Sequence, residues 1–309
     1  MYLRYLLFGL WLGLLTGPLA QAAVTVVIVS SERSAAYQEA AEALVGELER
    51  GGLSRQGVVQ LTPAELAASG PLAPRLYVAL GTQAATLLAQ TELQAPVLSA
   101  LLPRQSFERI MLAGARKPSS QFSALYLDQP LSRQLELIRL AFPDARRLGV
   151  LWGPESQAQA EDLKALARAR GLELVEATIG PGEPVFPALK SILQSADLLL
   201  AVADPQVFNS GSIQNILLSS FRAQVPLVAF SPAYVRAGAL LALHVTPAQM
   251  GRQAGTLARS VLQGRALPAV PVHSLEFSVA VNEHVARSLG LTLNSDALAE
   301  RLRRRESTP

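Results

Sequence analysis

Apolar positions recur along this chain in two alternating rhythms. Short runs rich in β-branched residues stand apart from longer stretches in which apolar residues return every three or four positions. The short runs are VTVVIVS (Val24–Ser30), GVVQL (Gly57–Leu61), LYVAL (Leu76–Leu80), APVLSA (Ala95–Ala100), FSALYL (Phe122–Leu127), RLGVLW (Arg147–Trp152), LELVEA (Leu172–Ala177), DLLLAV (Asp197–Val202), PLVAF (Pro226–Phe230) and GALLALHV (Gly238–Val245). Between them lie helical patterns with clear stops. Ala35–Arg50 ends at Gly51-Gly52, Leu131–Phe142 at Pro143, Glu155–Arg170 at Gly171 and Ala248–Leu262 at Gly264. Gly supplies the left-handed residue that closes a helix, and Pro cannot continue one. Strands apolar on both faces and separated by helices predict parallel sheets covered on both sides. Some ten strands exceed one comfortable open sheet, so the pattern predicts an α/β chain of two doubly wound, Rossmann-like lobes. No biased linker separates them. Short hinge strands at Phe122–Asp128, His244–Pro247 and Leu267–Val272 are expected instead, giving lobes of residues 24–122 plus 244–267 and 123–243 plus 268–309.

The opening residues, MYLRYLLFGLWLGLLTGPLAQAA, follow another pattern. Arg4 precedes an apolar run, Gly17-Pro18 break it, and Ala20-Gln21-Ala22 reads as a small-x-small cleavage site. That is the three-part pattern of a secretory signal peptide over residues 1–22, cleaved after Ala22. The run is shorter than the ~20 residues a spanning helix needs. The chain has no cysteine, which excludes disulfides, thiolate metal sites and a lipid-modified N-terminal Cys. Export without disulfide or lipid anchor points to a periplasm. A formal charge of +3 on 309 residues gives no case for nucleic acid.

Catalytic and cofactor chemistry finds little to stand on. His244, His273 and His284 form no HxxxH spacing and are expected to be surface or structural residues. G-x-S-x-G and G-x-x-x-x-G-K-[ST] are absent, and the first strand is followed by SSERSAAYQ without glycine. LGTQAA has a single glycine, too few for a dinucleotide loop. The chain is therefore not expected to be an enzyme, and no cofactor or metal is expected. What remains is polar residues at the carboxyl ends of strands, where open α/β sheets bind ligands. They are Ser30, Ser31, Gly81, Thr82, Ser99, Asp128, Trp152, Asp204 and Ser231. Each could instead cap the following helix.

The ordered series LYVALGTQAA, LSRQLELIRLAFPDARRLGVLW, ARARGLELVEATI, DLLLAVADPQVF, VPLVAFSPAYVRAGALLAL, MGRQAGTLARSVLQGRALPAVPV and VNEHVARSLGL resembles the substrate-binding proteins of ABC transporters often called TrpX-like. The resemblance implies the type I periplasmic-binding fold, with two lobes joined by three hinge crossovers and a small polar solute, often an amino acid, closed between them. It also implies delivery to an ABC permease in the inner membrane, with the chain acting as a monomer. Carried over by position, it assigns the ligand to Ser30, Ser31, Gly81, Thr82, Asp128, Trp152, Asp204 and Ser231. Three stretches depart from the family pattern. LSALLPRQSF lacks the usual acid, GPESQAQ lacks Asn, and Pro205-Gln206 stand where Asn is common. These departures keep a second expectation open: an accessory protein that contacts a membrane sensor kinase or receptor without feeding a permease.

Overall fold

The computed structural model describes residues 24–114 and 116–307. The expected leader and its cleavage site lie outside these residues. In chain order the elements are β1 (Val26–Ser30), α1 (Ala35–Arg50), β2 (Val58–Leu61), α2 (Pro63–Ala68), β3 (Leu76–Leu80), α3 (Thr82–Gln90), β4 (Val97–Leu102), α4 (Arg104–Ala113) and β5 (Phe122–Tyr126). Then come α5 (Leu131–Ala141), β6 (Arg147–Trp152), α6 (Ala160–Arg168), β7 (Glu173–Thr178), α7 (Val185–Leu193), β8 (Leu198–Leu200), α8 (Ile213–Arg222), β9 (Leu227–Ala229), α9 (Pro232–Ala237) and β10 (Leu241–His244). The chain closes with α10 (Pro247–Leu262), β11 (Val272–His273), β12 (Ser278–Val281), α11 (Glu283–Ser288) and α12 (Ser295–Ser307).

The strands form two six-stranded sheets, ordered β11-β5-β4-β3-β1-β2 and β12-β10-β9-β8-β6-β7. In each, the central strands are buried on both faces, as their unbroken apolar runs require. One face of the first sheet packs on α1 and α10 through Leu44, Leu48, Met250 and Ala254. Its other face packs on α3 and α4 through Ala84, Leu88, Phe107 and Ile110. The second sheet is covered in the same way, by α5, α6 and α12 on one side and α7 and α8 on the other. Helices α1 and α10 lie unusually close. A Cβ added at Gly251 would stand 2.1 Å from the Ala40 carbonyl oxygen, and one at Gly255 would stand 2.5 Å from Glu47 Cβ. Only glycine permits that backbone approach.

All pairings are parallel except β10–β12, which is antiparallel. β12 is a four-residue edge strand, half-buried except at Val279 and without a long apolar run, so the expectation of all-parallel sheets did not include it.

The chain passes between the sheets at residues 127–130, 245–246 and 274–277. The middle passage falls within the expected His244–Pro247. The other two differ from expectation. β5 pairs with β4 in the first sheet, so residues 123–126 stand on the first-sheet side of the passage. β11 pairs with β5, so Val272 and His273 do too, and the crossing follows them. His244, by contrast, ends β10 in the second sheet.

Candidate functional site

The three crossings run side by side, and a cavity of about 710 Å³ opens against them. Its walls come from both sheets' loops. Arg104 at the start of α4 and His273 at the end of β11 belong to the first-sheet side. Asp162 on α6, the Ala201–Ala203 turn after β8, Phe230–Pro232 after β9, and His244 belong to the second. The first crossing, Leu127–Pro130, forms the floor together with Leu131 and Gln134 of α5. The exposed lining is largely apolar, with polar side chains on both walls and at the first crossing, which is a common composition of a small-molecule site.

Asp128 lies in that crossing. Its carboxylate accepts from the Arg104 N–H and also faces its own main-chain N–H. Burial pushes its carboxyl above the usual carboxylate range, while that N–H, His273 and the Arg104 charge pull the other way. The Asp128 carbonyl lies 2.9 Å from His273 Nδ1. A carbonyl can only accept, so Nδ1 carries the proton and Nε2 is left as an acceptor in the neutral ring. His244 is held below its ordinary pKa by burial, and its Nδ1 has no hydrogen-bond partner. Phe230 is the aromatic ring among the lining residues, braced edge-on against Tyr234 and Phe208.

The structure brings Asp128 and Ser231 to this cavity and places the other expected residues elsewhere. Ser231 also caps α9, accepting from the Ala233 N–H at 3.2 Å. Ser31 donates to the Leu80 carbonyl at 2.9 Å and accepts from the Ala84 N–H at 3.0 Å, so its hydroxyl ties β3 to α3. Gly81 caps α3 with φ +88° and its N–H bonds to Ala100 O. Thr82 is exposed at the first position of α3. Ser30 lines a separate hollow of about 240 Å³ with Glu32, Arg33 and Tyr37. Ser99 is fully buried within β4. Trp152 is 1% exposed, packed in the second sheet's core, with its indole N–H on Glu176 at 2.9 Å.

Asp204, 2% exposed, accepts from the N–H groups of Glu155, Ser156 and Gln206 and from the Ser156 hydroxyl, all at 2.9–3.0 Å. It knots the loop after β6 to the loop after β8. Gly153 completes the knot, since a Cβ there would stand 2.4 Å from the Asp204 carboxyl group. From this loop Glu155 reaches across to Arg109 of α4 at 3.0 Å, an ion pair between the two sides.

Sequence reading passed over Arg104, Gln129, Gln134, Phe230, His244 and His273. The signal was available for several of them. His244 and His273 end β10 and β11, and Gln129 follows Asp128, so the strand-end rule applied to each; expecting the histidines to be structural hid two cavity residues. Among the described residues no three His, Asp or Glu side chains converge to hold a metal, and no helix is long and apolar enough to cross a membrane.

A family model for ABC transporter substrate binding proteins matches residues 71–303. The chain belongs to that family. A tyrosine-binding protein of Clostridioides difficile (strain R20291) is 25% identical over 185 residues, covering 59% of this chain and 53% of the relative. The chain thus spans about half the length of that curated relative. Two solved structures share the fold. One is the ligand-free, open form of a Clostridium difficile substrate-binding protein with adhesive properties, with TM-score 0.71 and 20% identity over 89% of this chain and 97% of that one. The other is an ABC domain from Streptococcus pneumonia in complex with L-Trp, with TM-score 0.62 and 19% identity over 89% and 97%. The two-lobed α/β architecture of this family member is shared with both solved structures.

Proposed function

We propose that this chain captures a small solute with an apolar body and a polar end, closes on it by bending at the three crossings, and presents it to an ABC permease in the inner membrane. The observation that carries the reading is the cavity itself. About 710 Å³ lies within the range that holds small ligands, its walls come from both sides of the molecule, and its floor is the hinge. Rotation at residues 127–130, 245–246 and 274–277 moves Arg104 and Phe230 relative to one another without unpairing either sheet. The working compartment is the periplasm, reached by means of the leader at 1–22.

Aromatic amino acids are the first ligands to try, because relatives are described with tyrosine and tryptophan. Phe230 offers a ring face or edge to such a side chain. Asp128, with only main-chain N–H groups on its carboxylate, offers an acceptor to an ammonium group. The experiment is a thermal-shift panel of amino acids, small carboxylates and nucleosides on the chain lacking residues 1–22, with native mass spectrometry of freshly purified protein. A ligand specific to the folded state raises the melting temperature by mass action. Silence in both measurements would overturn the capture reading.

A further inference from the structure

Two neighbouring glutamines at the cavity floor carry an arrangement that packing does not explain. Gln129 is 5% exposed and Gln134 is 7% exposed, and both line the cavity. Each has one half of its amide engaged by protein. The Arg133 guanidinium donates to Gln129 Oε1 at 2.7 Å, and Gln134 Nε2 donates to the main-chain carbonyl of Gln129 at 3.1 Å. Each has the other half, Gln129 Nε2 and Gln134 Oε1, buried without a hydrogen-bond partner. Neither amide can turn over to escape. A flipped Gln129 would point its NH₂ at a guanidinium, and a flipped Gln134 would set oxygen against oxygen.

Arg133 is itself fixed. Only 8% exposed, it donates to the Ser274 carbonyl at 2.8 Å, lies 4.7 Å from the centre of the Phe277 ring and pairs with Glu306 of α12. It therefore joins the first crossing to the third. A buried amide group without a partner is destabilising, and here two residues of one cavity wall each carry one.

We propose that this pair reads the polar end of the ligand, Gln129 Nε2 donating to an acceptor oxygen and Gln134 Oε1 accepting from an N–H, with Arg133 as the residue that positions both. The inference rests on the capture reading above and names the ligand's chemistry. It is a molecule with a carbonyl or carboxylate oxygen and an N–H close together on one end, as in an α-amino acid or a primary amide. Hinge closure brings that end against the two amides.

The discriminating variant is Gln129→Glu. It keeps the acceptor that Arg133 uses and puts a carboxylate oxygen in place of the free donor. Calorimetry with the twenty L-amino acids and their primary amides first selects the tightest ligand of the wild-type chain, and that ligand's decarboxylated amine serves as the control. The expected result is a Kd weakened roughly tenfold or more for the selected ligand in Gln129→Glu, with no weakening for the amine, whose ammonium the new carboxylate attracts. Gln134→Leu should weaken both ligands while the unliganded melting temperature stays close to wild type. A wild-type Kd in Gln129→Glu would overturn the proposal with solute capture intact. Binding of some other ligand class by the wild-type chain, but of no amino acid or amide, would overturn it as well. No ligand of any class would instead remove the capture reading on which it rests.

Discussion

Asp204 and Asp128 each stand a few residues past the end of a strand, and from sequence they are interchangeable candidates for a ligand's cation. In the fold they differ in what is already bound to them. Asp204 accepts four hydrogen bonds from its own chain, three from main-chain N–H groups and one from Ser156. Oδ2 takes three of these and Oδ1 the fourth, so the carboxylate is committed mainly to its own loops. Asp128 takes only main-chain N–H groups, those of Arg104 and of its own residue, and is held above the usual carboxylate range by burial. The comparison teaches that a polar strand end becomes a binding group only when local turns leave part of it unused.

The largest effect separating the two should come from Asp204→Ala, which strands three main-chain N–H groups and a hydroxyl in the buried knot. A loss of about 3 kcal/mol or more in urea unfolding is expected, with unchanged ligand affinity in the protein that remains folded. Lost affinity at unchanged stability would break the comparison by returning Asp204 to the site. Gly153→Ala attacks the same knot sterically and should cost about 1–3 kcal/mol, since Asp204 cannot recede without leaving its donors.

Asp128→Asn should act in the opposite direction on stability. A carboxyl whose folded pKa is raised binds more protons in the folded state between its two pKa values, so stability falls as pH rises through that window. The neutral amide removes this loss. The urea midpoint at pH 7 should therefore rise above wild type, and the gap should narrow as pH falls toward the ordinary carboxyl range. Binding of a cationic ligand should weaken in the same variant. A lower midpoint at pH 7 would show that the Asp128 carboxylate is held by favourable contacts after all.

The smallest effect should come from Arg109→Ala. The Arg109–Glu155 pair sits on the rim between the two sides, with side chains 59% and 33% exposed. About 0.2–1 kcal/mol, shrinking with added salt, is the expectation for such a pair. It should appear in ligand affinity more than in melting temperature, because the pair spans the hinge and not a core.

The architecture could be read from sequence where burial dictates residue type. VVIVS, LYVAL and RLGVLW are buried on both faces, and nothing but apolar side chains would serve there. β11 and β12 escaped because a two-residue edge and a half-buried four-residue edge carry little pattern. The crossings were misplaced at 123–126 and 268–273 for a related reason: a strand's own sequence does not say which sheet it will join. The site was less legible still. Ser31, Asp204 and Ser231 have the residue types that suit both helix caps and ligand contacts, and only the partners seen in three dimensions divide their roles. Gln129 and Gln134 had no motif at all, since their significance lies in which half of each amide Arg133 and the Gln129 carbonyl leave free.

The close seating of α10 on α1 also sets an order of events in folding. Residues 35–50 cannot complete their packing until residues 247–262 arrive, and the first sheet cannot gain its last strand until 272–273 do. Everything from 131 to 244 must emerge in between. Such distant pairings slow folding through the entropy of closing a long loop. The side made first is thus completed nearly last.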